Sequence, residues 1–453
     1  VSEEKISWKN ATKAVARTGL LTVLTQLWWM AALAVGGWHG LPILSLTETL
    51  GSTNNTTSSF EILRSLGYWF FYGRDTGGLW LSGLADPYME KLWLLLVSFG
   101  VAGVGLIAMA FVRWRHRMYF VVITTVGLVI SIGSFHYAGR SLYGFLFKKA
   151  ADSSDLIFSL RNTQRAAPLV VLGLAALTAA TVQSLWANKR NFALTANALI
   201  VIMIVVNLYP LWSGSLIAER FHREEIPDYW DEATEVLDEQ SKETRVMEIP
   251  GIDFASYRWG HTLDPITPGL IERPYLAREL LPHGDQSGAN LLVAFDRSLQ
   301  EGWFEPEALP EIARIFGAGD VVLRSDLEYE RYRTARPQPL WNILKNPPEG
   351  LSEPQKFGEP IPNVASEARS MNDEIELGIP TNSEHPPPVA IFSVESPLDM
   401  VRARPSDSSL IISGDGEGIV SLAAAGLLNV QEGLIQYAGS ADTINSTDRL
   451  VIT

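Results

Sequence analysis

The stretch DLIFSLRNTQRAAP, Asp155 to Pro168, sets two guanidinium groups, Arg161 and Arg165, and the amide of Asn162 just ahead of a long apolar segment that begins near Ala166. Spaced four apart, the two arginines share one face if the stretch is helical. A guanidinium meets a phosphate through paired, charge-assisted hydrogen bonds, and Asn162 adds a neutral donor. Arg140, Lys148 and Lys149 lie in the same region, offset only by Asp152 and Asp155. Together they read as a clamp for an anion at headgroup depth, where a departing phosphate would be stabilised. The plainer reading is a set of cationic anchors snorkelling to ordinary lipid headgroups.

A second cluster falls in the loop 38–90. SLTETLGS carries Glu48, and SLGYWFFYGRDTGGLW carries Tyr68, Trp69, Tyr72, Arg74 and Asp75. Aromatic rings beside charges suit a sugar, whose apolar face stacks on a ring while its hydroxyls meet the polar groups. A carboxylate such as Glu48 would serve as general base toward an acceptor hydroxyl. The competing reading is an interfacial aromatic belt with Arg74 and Asp75 as a surface pair. SGDGEG, residues 413–418, follows neither the dinucleotide nor the P-loop spacing, and its acids would repel an anion, so it reads as a strand–helix turn. The seven histidines are scattered, and neither HExxH nor GxSxG occurs. With no cysteine, disulfides, thiolate catalysis and Cys-ligated metals are excluded. The acidic half has no basic stripe for nucleic acid.

These groups need elements to hold them. The 453 residues carry a net charge of −14, and composition divides them. Residues 1–212 are rich in Leu, Val, Ala and Trp, with bases in excess, whereas 213–453 hold most acids and prolines. A transmembrane helix takes about 20 mostly apolar residues. The runs Gly19–Gly37, Lys91–Val112, Met118–His136, Ala166–Ala187 and Phe192–Trp212 predict five spans. Residues 3–17 read either as an interfacial amphipathic helix or as a plain linker. The N-terminal lysines, RWRHR (113–117) and NKR (188–190) place one face in the cytoplasm. Loops 38–90 and 137–165, and everything after Trp212, then lie outside. Beyond Trp212, TRVMEIPG reads as a strand and SGANLLVAFDRSLQEG as a strand or helix start. LPEIARIFGAGDVVLRSD reads as helix, turn and strand, and residues 337–388 as a Pro-rich excursion. The expected organisation is a membrane domain over 1–212, an extracytoplasmic α/β domain over 213–340 and a further α/β segment over 341–453, both chain ends reading as cut from a longer protein.

RSLGYWFFYGRDTGGLW, FSLRNTQRAAPLVVLGLA and RVMEIPGIDFASYRWGHTLDPITPGLIERPYLARE together resemble the actinobacterial α-(1→3)-arabinofuranosyltransferase family. The resemblance runs from about residue 19 to about residue 340. It implies a partial GT-C membrane fold of the plasma membrane and transfer of arabinofuranose from decaprenyl phosphate onto cell-envelope arabinan. The implied partners are a polyprenyl-phosphate sugar donor, an arabinan acceptor and the bilayer, without nucleic acid. Glu48, in TET, matches the family's acidic position, and Arg161 and Asn162 match its LRN motif as donor-phosphate contacts. Where the family follows that motif with Lys and Asp, this chain has Arg165 and Ala167. No cofactor is implied; a divalent metal is compatible with the fold class but is not demanded by these residues. The resemblance further implies a catalytic acid in an earlier loop, so that this segment alone would be inactive. The rival function is a non-catalytic membrane-anchored module that binds or scaffolds polysaccharide. A lipid-sugar flippase would want charges inside the spans, which carry almost none.

Overall fold

The computed structural model describes residues 8–75, 78–136, 139–188, 190–218, 221, 225–281, 284–380, 382–403, 409–428, 434–440 and 449–452. Helices stand on all five apolar runs: α1 (Trp8–His39), α2 (Leu92–Phe111), α3 (Arg117–Ile132), α4 (Ala167–Asn188) and α5 (Arg190–Asn207). Among the described residues three helices are long and apolar enough to cross a bilayer, Trp8–Trp38, Leu92–Phe111 and Thr163–Trp186; the apolar helices Arg117–Ile132 and Asn191–Asn207 are shorter. From Trp8 onward the predicted interfacial segment is one continuous helix with the first span, and residues 1–7 lie outside the described residues.

Loop side chains explain why α3 stops short of its expected end at His136. The backbone turns at Gly133, with φ +55°. There the Asn54 Oδ1 accepts from the Ser134 amide at 2.8 Å, and the Thr163 hydroxyl donates to the Ser131 carbonyl at 3.0 Å. Polar groups from two loops thus replace the next turn of the helix. α5 ends before Pro210, which cannot supply a ladder donor. α4 packs against α2, α3 and α5. At Gly173 a Cβ would run into Thr124 of α3, so the small residue sets the close approach of the two helices.

The polar half is a layered α/β unit. Its five-stranded sheet comprises β1 (Arg245–Ile249), β4 (Tyr275–Leu276), β5 (Ala318–Arg324), β6 (Gln355–Phe357) and β7 (Val389–Ser393), in the order β4-β1-β5-β7-β6. β4, β1 and β5 run parallel, whereas β7 and β6 are antiparallel additions. A hairpin of β2 (Ala255–Tyr257) and β3 (Gly260–Leu263) projects from it. Side chains alternate with period two. Met247, Ile249, Val321, Leu323, Ala390 and Phe392 enter one core with the helices Gln286–Glu301 and Ala308–Ile315. Val246, Val322, Val389 and Ile391 enter the other, against Trp230, Ala233 and Leu237 of the helix Asp228–Asp238. Between the layers Arg324 and Glu248 form a fully buried pair at 2.7 Å.

The boundary expected at residue 340 falls inside this unit. Trp341 is fully buried in the first core, and β7 pairs with β5 across an excursion that begins and ends in the same sheet. Composition marks the excursion as polar and Pro-rich; the nonlocal pairing that closes it leaves no local trace. A second, parallel sheet follows, ordered β9-β8-β10 from β8 (Ser409–Ser413), β9 (Leu434–Tyr437) and β10 (Arg449–Ile452). SGDGEG is the turn after β8: Asp415 caps the next helix by accepting from the Gly418 amide at 3.1 Å, and a Cβ on Gly416 would strike Ala294 and the Asn290 carbonyl. That supports the structural reading of the motif.

A candidate active-site cleft between the loops and the α/β unit

Glu48 precedes the short helix Leu50–Asn54, whose start is fixed by Thr49, the side-chain oxygen accepting from the Ser52 amide at 3.1 Å. This cap sets the direction of the backbone at Glu48. Arg161 then takes hold of the side chain. Its Nη2 donates to Glu48 Oε2 at 3.1 Å and to the Thr47 hydroxyl at 2.7 Å. The Arg161 carbonyl is gripped in turn, accepting from Asn54 Nδ2 at 2.7 Å and from the Thr53 hydroxyl at 3.2 Å. Arg161 is 8% exposed, with its guanidinium carbon 5.1 Å from the centre of the Phe158 ring.

This geometry alters the expected arginine pair. Arg161 and Asn162 lie outside regular helix, followed by a 3-10 turn over Thr163–Ala166. Because Thr53 and Asn54 draw the Arg161 carbonyl sideways, no α-helical face joins Arg161 to Arg165. Arg161 is buried against Glu48, whereas Arg165 and Arg140 are exposed. Asn162 is half-buried, its Oδ1 accepting from Gln164 Nε2 at 3.3 Å. Lys148 pairs with Asp152 at 2.5 Å.

Glu48 opens into a cavity of about 790 Å³ between the loops and the α/β unit. The loops supply Glu48, Trp69, Phe70, Asp75 and Trp80. The opposite wall brings Asp253, His261, Asp264, Glu279, Tyr332 and Arg369. Trp80 stands edge-on to Trp69, with ring centres 5.9 Å apart, and 5.2 Å from Phe70. It lies over Gly73, where any Cβ would strike its ring. Asp75 stands 3.7 Å from Arg369, joining the loop to the α/β unit. His261 Nε2 is 2.7 Å from the Tyr332 hydroxyl. Near Glu279 the Tyr275 hydroxyl donates to the carboxylate at 3.0 Å; burial, then the charge of Glu279, push the phenol above its ordinary range.

The cleft thus brings together Glu48, Trp69 and Asp75, with Arg161 behind Glu48. Tyr68, Arg74, Arg140, Asn162 and Arg165 are not among the described residues that line it. Tyr68 packs against Trp69 at a tilt, with ring centres 5.8 Å apart, and Arg74 is exposed. Tyr72 faces away, donating to Glu61, and burial followed by its contact with Glu61 pushes its pKa up. The sequence reading missed Trp80 and the whole opposite wall. His261 sits within YRWGHTLDP, part of the long stretch that carries the family resemblance, and that is the signal by which it was findable. Among the described residues no group of three His, Asp or Glu side chains is placed to hold a metal ion. Chemically, aromatic rings and carboxylates suit a polyhydroxylated ligand, and a carboxylate oriented by a guanidinium is placed to accept a hydrogen bond from one of its hydroxyls.

Membrane-length helices and an α/β unit thus meet across a cleft lined by residues of both. A family model described as alpha-(1->3)-arabinofuranosyltransferase, N-terminal GT-C domain, matches residues 7–453. The chain belongs to this arabinofuranosyltransferase family. It is 25% identical over 358 residues to an alpha-(1->3)-arabinofuranosyltransferase of Mycolicibacterium smegmatis, covering 76% of this chain and 25% of that relative. It is 27% identical over 369 residues to the protein of the same name from Mycobacterium tuberculosis, with the same coverage of 76% and 25%. The chain therefore spans a quarter of the length of these relatives. Two cryo-EM structures of the mycobacterial arabinofuranosyltransferase AftD share its fold. One has a TM-score of 0.61 at 19% identity, covering 93% of this chain and 27% of the other. A point mutant has 0.65 at 17%, covering 99% and 31%.

Proposed function

We propose that this chain is part of a membrane enzyme that moves arabinofuranose from decaprenyl phosphate onto arabinan of the actinobacterial cell envelope. The loops and the α/β unit lie on the extracytoplasmic side, opposite the basic links 113–117 and 188–190. One observation carries the reading: Glu48, held by Arg161, faces an aromatic and acidic cleft between loops and α/β unit. In the reaction an acceptor hydroxyl attacks the anomeric carbon, the carbon–oxygen bond to phosphate breaks, and the phosphate leaves with the electron pair. The acceptor's proton passes to the Glu48 carboxylate. Arg165, Arg140 and the Asn162 amide receive the departing anion. The carrier's tail lies along an apolar groove of about 760 Å³ lined by α2, α4 and α5 from Val170 to Trp186.

The test uses full-length protein in native-like membranes with lipid-linked arabinofuranose and an arabinan oligosaccharide. Glu48→Gln keeps the shape and the Arg161 contact while removing the base, so transfer should fall by about 10²–10⁴-fold. Transfer within two-fold of the unsubstituted rate, taking about two-fold as assay scatter, would instead favour the polysaccharide-binding module.

A further inference from the structure

A second cleft, of about 470 Å³, opens on the α/β unit beside Trp259. Its size falls within the ~300–1,000 Å³ of small-ligand sites. The floor follows directly from β5. Asp326 is 6% exposed, and its Oδ2 accepts three bonds, from the Tyr229 hydroxyl at 3.0 Å, the Trp230 indole at 2.9 Å and the Trp259 indole at 3.0 Å. Its other oxygen, Oδ1, is buried with no partner. The adjacent Ser325, 2% exposed, likewise has a buried hydroxyl with no partner. Both residues line the cleft. Buried polar atoms are rarely left so, because each forfeits its hydration. Burial also pushes the Asp326 carboxyl above its ordinary range, against the pull of the two indoles and the phenol.

The surroundings define what would settle these two oxygens. The one cation on the described rim, Arg258, is spent: both terminal nitrogens bond Glu330 at 2.7 Å, and its Nε bonds Asn363 at 2.5 Å. An anion would therefore meet a carboxylate with no free cation to offset it. The walls are apolar, with Trp259, Ile361, Pro362 and Pro388. A neutral ligand with an apolar face and hydroxyl groups along one edge matches walls and floor together.

We propose that this cleft is a saccharide-binding subsite for a neutral sugar residue of a polysaccharide chain, whose hydroxyls meet Asp326 Oδ1 and Ser325 Oγ as these two buried, unpartnered side chains turn to the cleft. It deepens the transfer reading and rests on it for the identity of the chain, arabinan. The hairpin of β2 and β3 contributes to both sites, Arg258 and Trp259 to this cleft and His261 and Leu263 to the cleft of Glu48. One polymer is thereby led from holding site to reacting site.

The experiment titrates an arabinofuranose oligosaccharide into full-length protein in lipid nanodiscs and reads affinity by calorimetry. Asp326→Asn is diagnostic, since its amide oxygen keeps the three bonds while its NH₂ replaces the free acceptor with a donor. Ser325→Ala removes a hydroxyl with no partner to lose. Each should weaken binding by about ten-fold or more, with the thermal midpoint of Ser325→Ala unchanged. Unaltered affinity in both variants, or no saturable binding by the unsubstituted protein, overturns the subsite. Transfer by Glu48→Gln, assayed in parallel, separates the two ideas. Lost transfer with binding indifferent to Asp326 and Ser325 sinks the subsite alone, and retained transfer with Asp326-dependent binding sinks the reaction assignment alone.

Discussion

Arg161 shows how much one side chain's role depends on its partner. Read along the sequence it is a phosphate ligand; in the structure it holds Glu48 from 113 positions away. No local pattern reveals such a contact, whereas Glu48, Trp69 and Asp75 are legible because their types suit a sugar. Arg161→Ala would leave Glu48 and Thr47 without their shared donor and Phe158 without its cation. We expect a loss of about 1–3 kcal/mol in unfolding free energy, measured by denaturation in detergent, together with reduced transfer; Arg161→Lys should recover part of both. A second residue-scale prediction concerns pH. Burial pushes the Glu330 carboxyl up, but the bonds from Arg258 and from the Ser366 amide outweigh it and hold it below its ordinary range. A depressed carboxylate contributes stability that is present above its unfolded pKa, about 4.3, and is lost as pH falls through the folded value. Thermal midpoints of Glu330→Gln and the unsubstituted chain should therefore converge as pH drops below about 4, and a gap that persists undiminished there would contradict this.

Among the elements, the helices and central strands are the legible part. Apolar runs of about 20 residues announce membrane helices, and short apolar runs bounded by turn residues announce β1, β5 and β7. Helix ends are less legible, because α3 is stopped by Asn54 and Thr163, side chains from loops remote in sequence. Gly133→Ala tests that account: its positive φ disfavours a Cβ, and that Cβ would collide with both side chains. We expect destabilisation by about 1–3 kcal/mol, seen as a lower melting temperature in detergent. Gly103, which has open space around its Cβ position, should tolerate alanine and serves as the control. The sheet's far edge was hidden for a different reason. β6 and β7 are short strands flanking a polar, Pro-rich segment, and only the pairing of β7 with β5, and of β6 with β7, shows that the segment returns to the fold it left.

At the scale of the whole molecule, neither the membrane helices nor the α/β unit makes the site alone. The loops bring Glu48 and the aromatic rings, the α/β unit brings the second acidic wall, and Asp75 and Arg369 meet across the gap. The apolar groove between α2, α4 and α5 is where the proposed function places the carrier's tail. Composition reveals the two halves and the family resemblance reveals their kinship, but a surface made by folding one half onto the other has no signature in either. The most direct measurement is a cryo-EM structure of the full-length protein with a non-cleavable phosphonate analogue of decaprenyl-phospho-arabinofuranose. We expect the sugar against Glu48, Trp69 and Trp80, the phosphonate beside the Arg161–Arg165 loop and the tail along α4. Density for the sugar and phosphonate at a different loop, with the Glu48 cleft empty, would contradict the account.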